Sequence, residues 1–259
     1  MTLTGFSRRR LITTGALALG GLSLSACDRL SRAPKVQDVI GSAQGLTLRT
    51  QRLLLAGQPL AREYSPKDLS PIFKANGTTA PSSPVYRALA QTNFADWRLR
   101  LDGLVARPLS LTLAQLKALP SRTQITRHDC VEGWSGIAKW TGVPLGLMLE
   151  EAGLKPAARY IVFYCADSLE ATLDGSGQYY ESIDLIDAYH PQTILAYGMN
   201  GGPLPIANGA PLRLRVERQL GYKQAKYVMR IEAVDSFASI AGGNGGYWED
   251  RGYEWYAGI

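Results

Sequence analysis

The sequence predicts an α+β body of mixed β-sheets with short helices, and three observations carry that prediction. Trp97, Leu99 and Leu101 alternate with Arg98, Arg100 and Asp102, the period of a strand with one buried face. The run Tyr160-Ile161-Val162-Phe163-Tyr164 is apolar and rich in β-formers, as a buried strand requires. Between such runs lie short stretches with helix start and stop signals, too brief for a bundle.

Taken in order, the strand opening at Trp97 reaches Gly103, which allows a turn. Thr112 is placed to cap a short helix through Leu119 that Pro120 closes, and Pro144 to open another that runs to Gly153. Beyond the buried strand, Ser182 reads as the cap of a helix that ends before Pro191. Residues 193–199 lead into Asn200-Gly201, the favoured dipeptide of a tight hairpin. Leu212, Leu214 and Val216 alternate with Arg213 and Arg215, and residues 227–234 form a last strand. The ending, from Gly242 to Tyr256, is too glycine-rich for a helix, and its aromatic residues are expected to pack on the core.

At 259 residues the chain is long enough for one substantial core. Its formal charge of +6 includes Arg8, Arg9 and Arg10; without them 25 basic residues face 22 acidic ones, leaving +3. No nucleic-acid partner is expected from so small an excess. Those arginines precede an uncharged run, residues 11–26, rich in Gly, Ser and Thr, so that residues 1–26 read as an export signal of the twin-arginine type. Leu24-Ser25-Ala26-Cys27 has the form of a lipobox, which makes Cys27 a candidate lipid anchor at the inner membrane. Residues 27–70 then read as a tether and irregular lead-in, and 71–259 as the functional domain, located in the periplasm.

Chemistry concentrates in two stretches. Thr126 to Gly136 packs the thiol of Cys130, the imidazole of His128, the carboxylates of Asp129 and Glu132 and the indole of Trp134 into eleven residues after a strand. Asn208-Gly209-Ala210-Pro211-Leu212-Arg213 and Gly221-Tyr222-Lys223-Gln224-Ala225-Lys226 alternate Asn, Arg and Lys donors with small residues, as phosphate binding requires. The segments beginning at Cys130, Tyr197 and Asn208, in this order, resemble the molybdopterin-binding domain of the sulfite oxidase superfamily, most nearly its bacterial methionine sulfoxide reductase branch, over residues 70–237.

The resemblance implies an enzyme in which Cys130 ligates the molybdenum of a molybdenum–pterin cofactor. It further implies that Asn208 and Arg213 hold the pterin phosphate, that Gln224, Ala225 and Lys226 contribute to the same pocket, and that Asn76 contacts the cofactor from upstream. Cys165 stands where the reductases carry a pocket threonine. Glu132 and His128, two residues to either side of Cys130, are candidates for proton handling or substrate orientation. The expected reaction is oxygen-atom or two-electron transfer on a small molecule such as a sulfoxide, an N-oxide or sulfite. The sequence has no Cys-x-x-Cys-His haem site and too few cysteines for an iron–sulfur cluster. Electrons are therefore expected from a separate protein, a membrane haem protein or a cytochrome. With 25 residues after Val234, dimerisation through a following immunoglobulin-like domain is not expected, and a monomer is.

Other readings use the same residues. His128, Cys130, Cys165 and His190 supply the four ligands of a structural zinc site, though without paired spacing. Cys130 and Cys165 could instead join as a disulfide in an oxidising compartment, and a cofactor-binding lipoprotein without turnover is the remaining alternative.

Overall fold

The computed structural model describes residues 45–54, 57 and 59–259. The export signal, the paired arginines and Cys27 lie outside the described residues. Residues 45–54 form a helix that belongs to a first compact unit, and Gly57–Ile259 forms a second, which carries all that follows. No helix among the described residues is long and apolar enough to cross a membrane.

Two sheets make the second unit. The first contains β1 (Arg98–Gly103), β2 (Leu109–Thr112), β5 (Tyr160–Ser168), β6 (Gln178–Asp184) and β10 (Val228–Val234), in the order β2-β1-β10-β5-β6. The second contains β3 (Arg122–Asp129), β4 (Ser135–Pro144), β7 (Ile194–Met199) and β8 (Gly202–Pro203) in that order, with β9 (Arg213–Arg215) paired to β7. β1 runs parallel to β10 and the other pairs are antiparallel, so the first sheet is mixed, as predicted, and the second is antiparallel throughout.

Four short helices bridge the strands. They are α1 (Pro84–Gln91), α2 (Leu113–Ala118), α3 (Leu145–Ala152) and α4 (Leu185–Ala188). Thr112 and Gln115 close a capping box on α2, and Pro144 and Gly153 bracket α3, as their side chains and backbone preferences dictate. The core joins Trp97, just before β1, and Leu99 and Leu101 of β1 to Ile161, Val162 and Phe163 of β5 and to Ile231 of β10. Asn200 and Gly201, both with positive φ, turn β7 into β8.

Three elements differ from expectation. Ser182 does not cap a helix; it lies buried in β6, and Asp184 caps α4 two residues later. β6 escapes a hydrophobic pattern because its buried side chains include Glu181 and Ser182, satisfied by Lys223 and by the Gly245 carbonyl. β4, which received no strand assignment from the sequence, pairs with β3 over its length and sets the register of the sheet. β9 buries both faces, so Arg213 and Arg215 are not its solvent side. Arg215 sits on Glu217 through two bonds of 2.9 and 2.6 Å, and both arginines lie over the Trp140 ring.

Candidate functional site

The end of β3 presents the thiol. Cys130 occupies the first position of the loop that returns the chain into β4, and its N–H donates to the Trp134 carbonyl at 2.9 Å while its own carbonyl accepts from Gly133 at 3.0 Å. Gly133 has φ +83°, which an L side chain adopts poorly, so glycine closes this turn. The loop therefore holds the sulfur in a fixed place. Cys130 is 9% exposed and opens onto a cavity of about 180 Å³. Burial pushes its thiol up, while the Glu132 and Val131 amides pull it down. Coordination to a metal would deprotonate it outright.

Around that cavity the structure assembles Asn76, Cys130, Glu132, Gln224 and Lys226, drawn from three separate parts of the chain. Glu132 is exposed and receives Trp134 Nε1–H at 3.0 Å and Lys74 Nζ at 3.2 Å. Those donors hold its carboxyl below the ordinary range, which suits orientation better than proton donation. The Lys226 ammonium points onto the carbonyls of Asn76 at 2.7 Å, of Ala207 at 3.1 Å and of Thr78. This one side chain fastens the upstream Asn76 loop to the cavity.

One layer back lie Asn208 and Arg213. Arg213 is 1% exposed; its Nη1 donates to the Asn208 carbonyl at 2.9 Å, and its Nη2 reaches the Gln224 carbonyl at 3.5 Å. Its Nε and the Asn208 Nδ2 are buried donors without a partner. Among the described residues no carboxylate pairs with Arg213 or Lys226. Burial, and the positive charge of Arg215 beside it, bring Arg213 down to about 9; burial and Arg213 bring Lys226 down to about 7. A buried cation with a spare donor, beside a second unpartnered donor and with no carboxylate paired to it, is a site for an anion, and a pterin phosphate satisfies it. On that ground the residues present fit a molybdenum–pterin group.

Three predicted residues stand elsewhere. His128 does not reach the cavity: it is fully buried between Phe73 and Trp134, and its Nδ1 accepts from Arg215 Nη1 at 3.1 Å. Burial and the Arg215 cation hold it well below the usual histidine range, so it is neutral packing rather than a catalytic acid. It also fixes Gly221 above it, where an added Cβ would lie 2.5 Å from the ring. Cys165 is buried under the wall in β5, and Ala225 contributes a backbone carbonyl to Leu214 N at 2.8 Å, neither facing the cavity. The zinc ligands do not converge, for among the described residues no three His, Cys, Asp or Glu side chains form a metal group. Cys130 and Cys165 are both free thiols.

The structure adds residues that the sequence reading missed. Asp167 lines the cavity, two positions beyond Cys165 on the same face of β5. The only sequence signal was a lone carboxylate following an apolar strand. Burial raises it to about 6 against the pull of Lys226. Tyr179, Tyr222, Trp248 and Tyr253 complete the wall, and they come from β6, from the 3-10 turn Gly221–Lys223 and from the C-terminal segment.

Residues 86–239 match the family model described as the oxidoreductase molybdopterin binding domain. The chain belongs to this family. It is a molybdopterin-dependent oxidoreductase of the sulfite oxidase superfamily. A relative from Azospira oryzae, provisionally named protein-methionine-sulfoxide reductase subunit YedZ1, is 35% identical over 96% of this chain and 87% of its own. The protein-methionine-sulfoxide reductase catalytic subunit MsrP of Xanthomonas campestris pv. campestris is 32% identical over 90% of this chain and 72% of its own. Among solved structures, the sulfane dehydrogenase SoxCD from Paracoccus pantotrophus aligns with a TM-score of 0.49 and 26% identity over 55% of this chain and 39% of that one.

Proposed function

We propose that the chain is the catalytic subunit of a sulfoxide reductase acting on methionine sulfoxide. The observation that carries this reading is the charge of the cavity. Glu132 and Asp167 face it and aromatic rings line it; among the described residues no arginine does, and the one cation in its lining, Lys226, is turned onto backbone carbonyls. A doubly charged oxyanion such as sulfite would meet carboxylates with no compensating donor, whereas a neutral sulfoxide loses little on entering. The names of the relatives above support the same substrate class.

In the reduction, a sulfoxide takes up two electrons and two protons and leaves as a thioether and water. The molybdenum–pterin group, when bound, supplies the electron transfer. Cys130 contributes the thiolate ligand, Asn208 and Arg213 hold the phosphate, and Lys226 fastens the Asn76 loop beside it. Asp167, near 6, holds a proton on the cavity wall at neutral pH more readily than an ordinary carboxyl, and it stands as donor to the departing oxygen. Glu132, held ionised, orients the substrate.

Electrons come from a separate protein, in this reading a membrane haem protein or a cytochrome. Export through the twin-arginine signal, a periplasmic site, a lipid anchor at Cys27 and a monomeric state complete the proposal. The deciding experiment is a substrate panel with the loaded enzyme and an artificial electron donor. Reduction of methionine sulfoxide with no oxidation of sulfite supports the reading; sulfite oxidation without sulfoxide reduction overturns it.

A further inference from the structure

The cavity has a wall that holds no cofactor group. Trp248 and Tyr253 line it, their rings stacked 5.1 Å apart at 29°, and Tyr222 meets Tyr253 edge-on at 5.3 Å. The 3-10 turn Glu249–Arg251 separates the two stacked residues, and Tyr253 N donates to the Trp248 carbonyl at 3.0 Å, so the backbone itself builds the stack.

Firm anchors hold this glycine-rich segment from behind. Asp250 accepts from Tyr180 Oη at 2.6 Å and from the amides of Gly242 at 2.9 Å and Asn244 at 3.0 Å. Tyr222 Oη donates to the Glu254 carbonyl at 2.6 Å, and Glu249 is buried against Lys223. Yet Tyr253 is 41% exposed, so the ring is held in place without being covered. A rigid, partly open aromatic pair in the same cavity as the Cys130 thiol attracts sulfur and its alkyl substituents, and its few rotors cost little entropy on binding.

We propose that the Trp248–Tyr253 stack is the specificity surface of the site: it receives the methyl and methylene groups of a methionine sulfoxide side chain and so selects a peptidyl sulfoxide over a small free one. The inference rests on the sulfoxide reading above. It assigns the C-terminal aromatics to substrate choice, which packing on the core would not do.

The test compares the loaded wild type with Trp248→Leu and Trp248→Phe on N-acetylmethionine sulfoxide amide and dimethyl sulfoxide. Both kcat/KM and calorimetric binding are measured. The ratio of kcat/KM for the peptide-like over the small sulfoxide is expected to fall on the order of tenfold in Trp248→Leu, mostly through KM, and Trp248→Phe, which keeps a ring, to retain most of it. Should Trp248→Leu fail to retain molybdenum, Tyr253→Leu, at the more exposed ring, gives the same comparison. An unchanged ratio in variants that fold and load overturns the proposal while leaving sulfoxide reduction intact. Tight binding of the peptide sulfoxide, lost in the Leu variants, with no reduction of either compound, supports the surface and overturns the reaction. Failure of the wild type to bind either compound overturns both.

Discussion

Lys223 is fully buried against the carboxylate of Glu249, and the same ammonium reaches Glu181 of β6. The pair joins the turn on one side of the cavity to the aromatic segment on the other. Burial and Glu249 push Glu181 well above the ordinary carboxylate range, and Lys223 pulls the other way. Removing the cation strands buried acid. Lys223→Met is expected to cost about 3–5 kcal/mol in urea unfolding, and combining it with Glu181→Gln and Glu249→Gln to recover part of the loss. A cost below about 1 kcal/mol would show that the cluster does not anchor the segment.

Arg213 carries positive charge in burial with a spare Nε donor and, among the described residues, no carboxylate paired to it, so an anion bound there stabilises the fold. Arg213→Met is expected to lower pterin retention by about tenfold or more, the loss of a desolvated charge-assisted contact. Circular dichroism should still report native sheets. Full pterin retention in a folded Arg213→Met protein would remove the phosphate assignment.

Asp167 has its own pH signature. Its carboxyl is raised from 3.8 to about 6 by burial, with Lys226 pulling the other way and Cys165 and Tyr179 nearby. Between those values the folded state holds more protons than the unfolded one, so this group's contribution to stability falls as pH rises across that window and stays low above it. Asp167→Asn is expected to stabilise cofactor-free protein at pH 7 by about 2–3 kcal/mol, little of it remaining at pH 4. In turnover it should remove the decline above about pH 6 that loss of a proton donor causes.

Much of the fold was legible because local patterns set it. The alternation in β1, the cap at Thr112, the stop at Gly153 and the Asn200-Gly201 turn all depend on neighbours in sequence. What could not be read depends on distant partners. β6 looked like a helix start because Glu181 and Ser182 are polar, and only Lys223 and the Gly245 carbonyl explain their burial. Cys130, Glu132, Asn76, Gln224 and Lys226 were found from motifs and do meet at the cavity. His128 was drawn in by proximity in sequence, yet it packs between Phe73 and Trp134 and meets Arg215, a partner that only the fold supplies. The aromatic wall, whose Trp248 and Tyr253 stand more than a hundred residues from Cys130, gave no local sign of its place.

Export forms a separate prediction. Replacing Arg8 and Arg9 with Lys is expected to hold folded, molybdenum-loaded protein in the cytoplasm, detected by fractionation and metal analysis, because the twin-arginine route carries folded cargo. Normal export of that variant would remove the twin-arginine assignment.

The central claim is that Cys130, and not Cys165, ligates molybdenum. Cys130 opens onto the cavity at the end of β3, whereas Cys165 is sealed beneath its wall. Molybdenum X-ray absorption on loaded wild type, Cys130→Ser and Cys165→Ser tests this most directly, since it counts sulfur neighbours without requiring turnover. Cys130→Ser is expected to lose one sulfur from the coordination sphere while keeping pterin held by Asn208 and Arg213, and Cys165→Ser to match the wild type. An unchanged sphere in Cys130→Ser, with a sulfur lost in Cys165→Ser, would contradict the account.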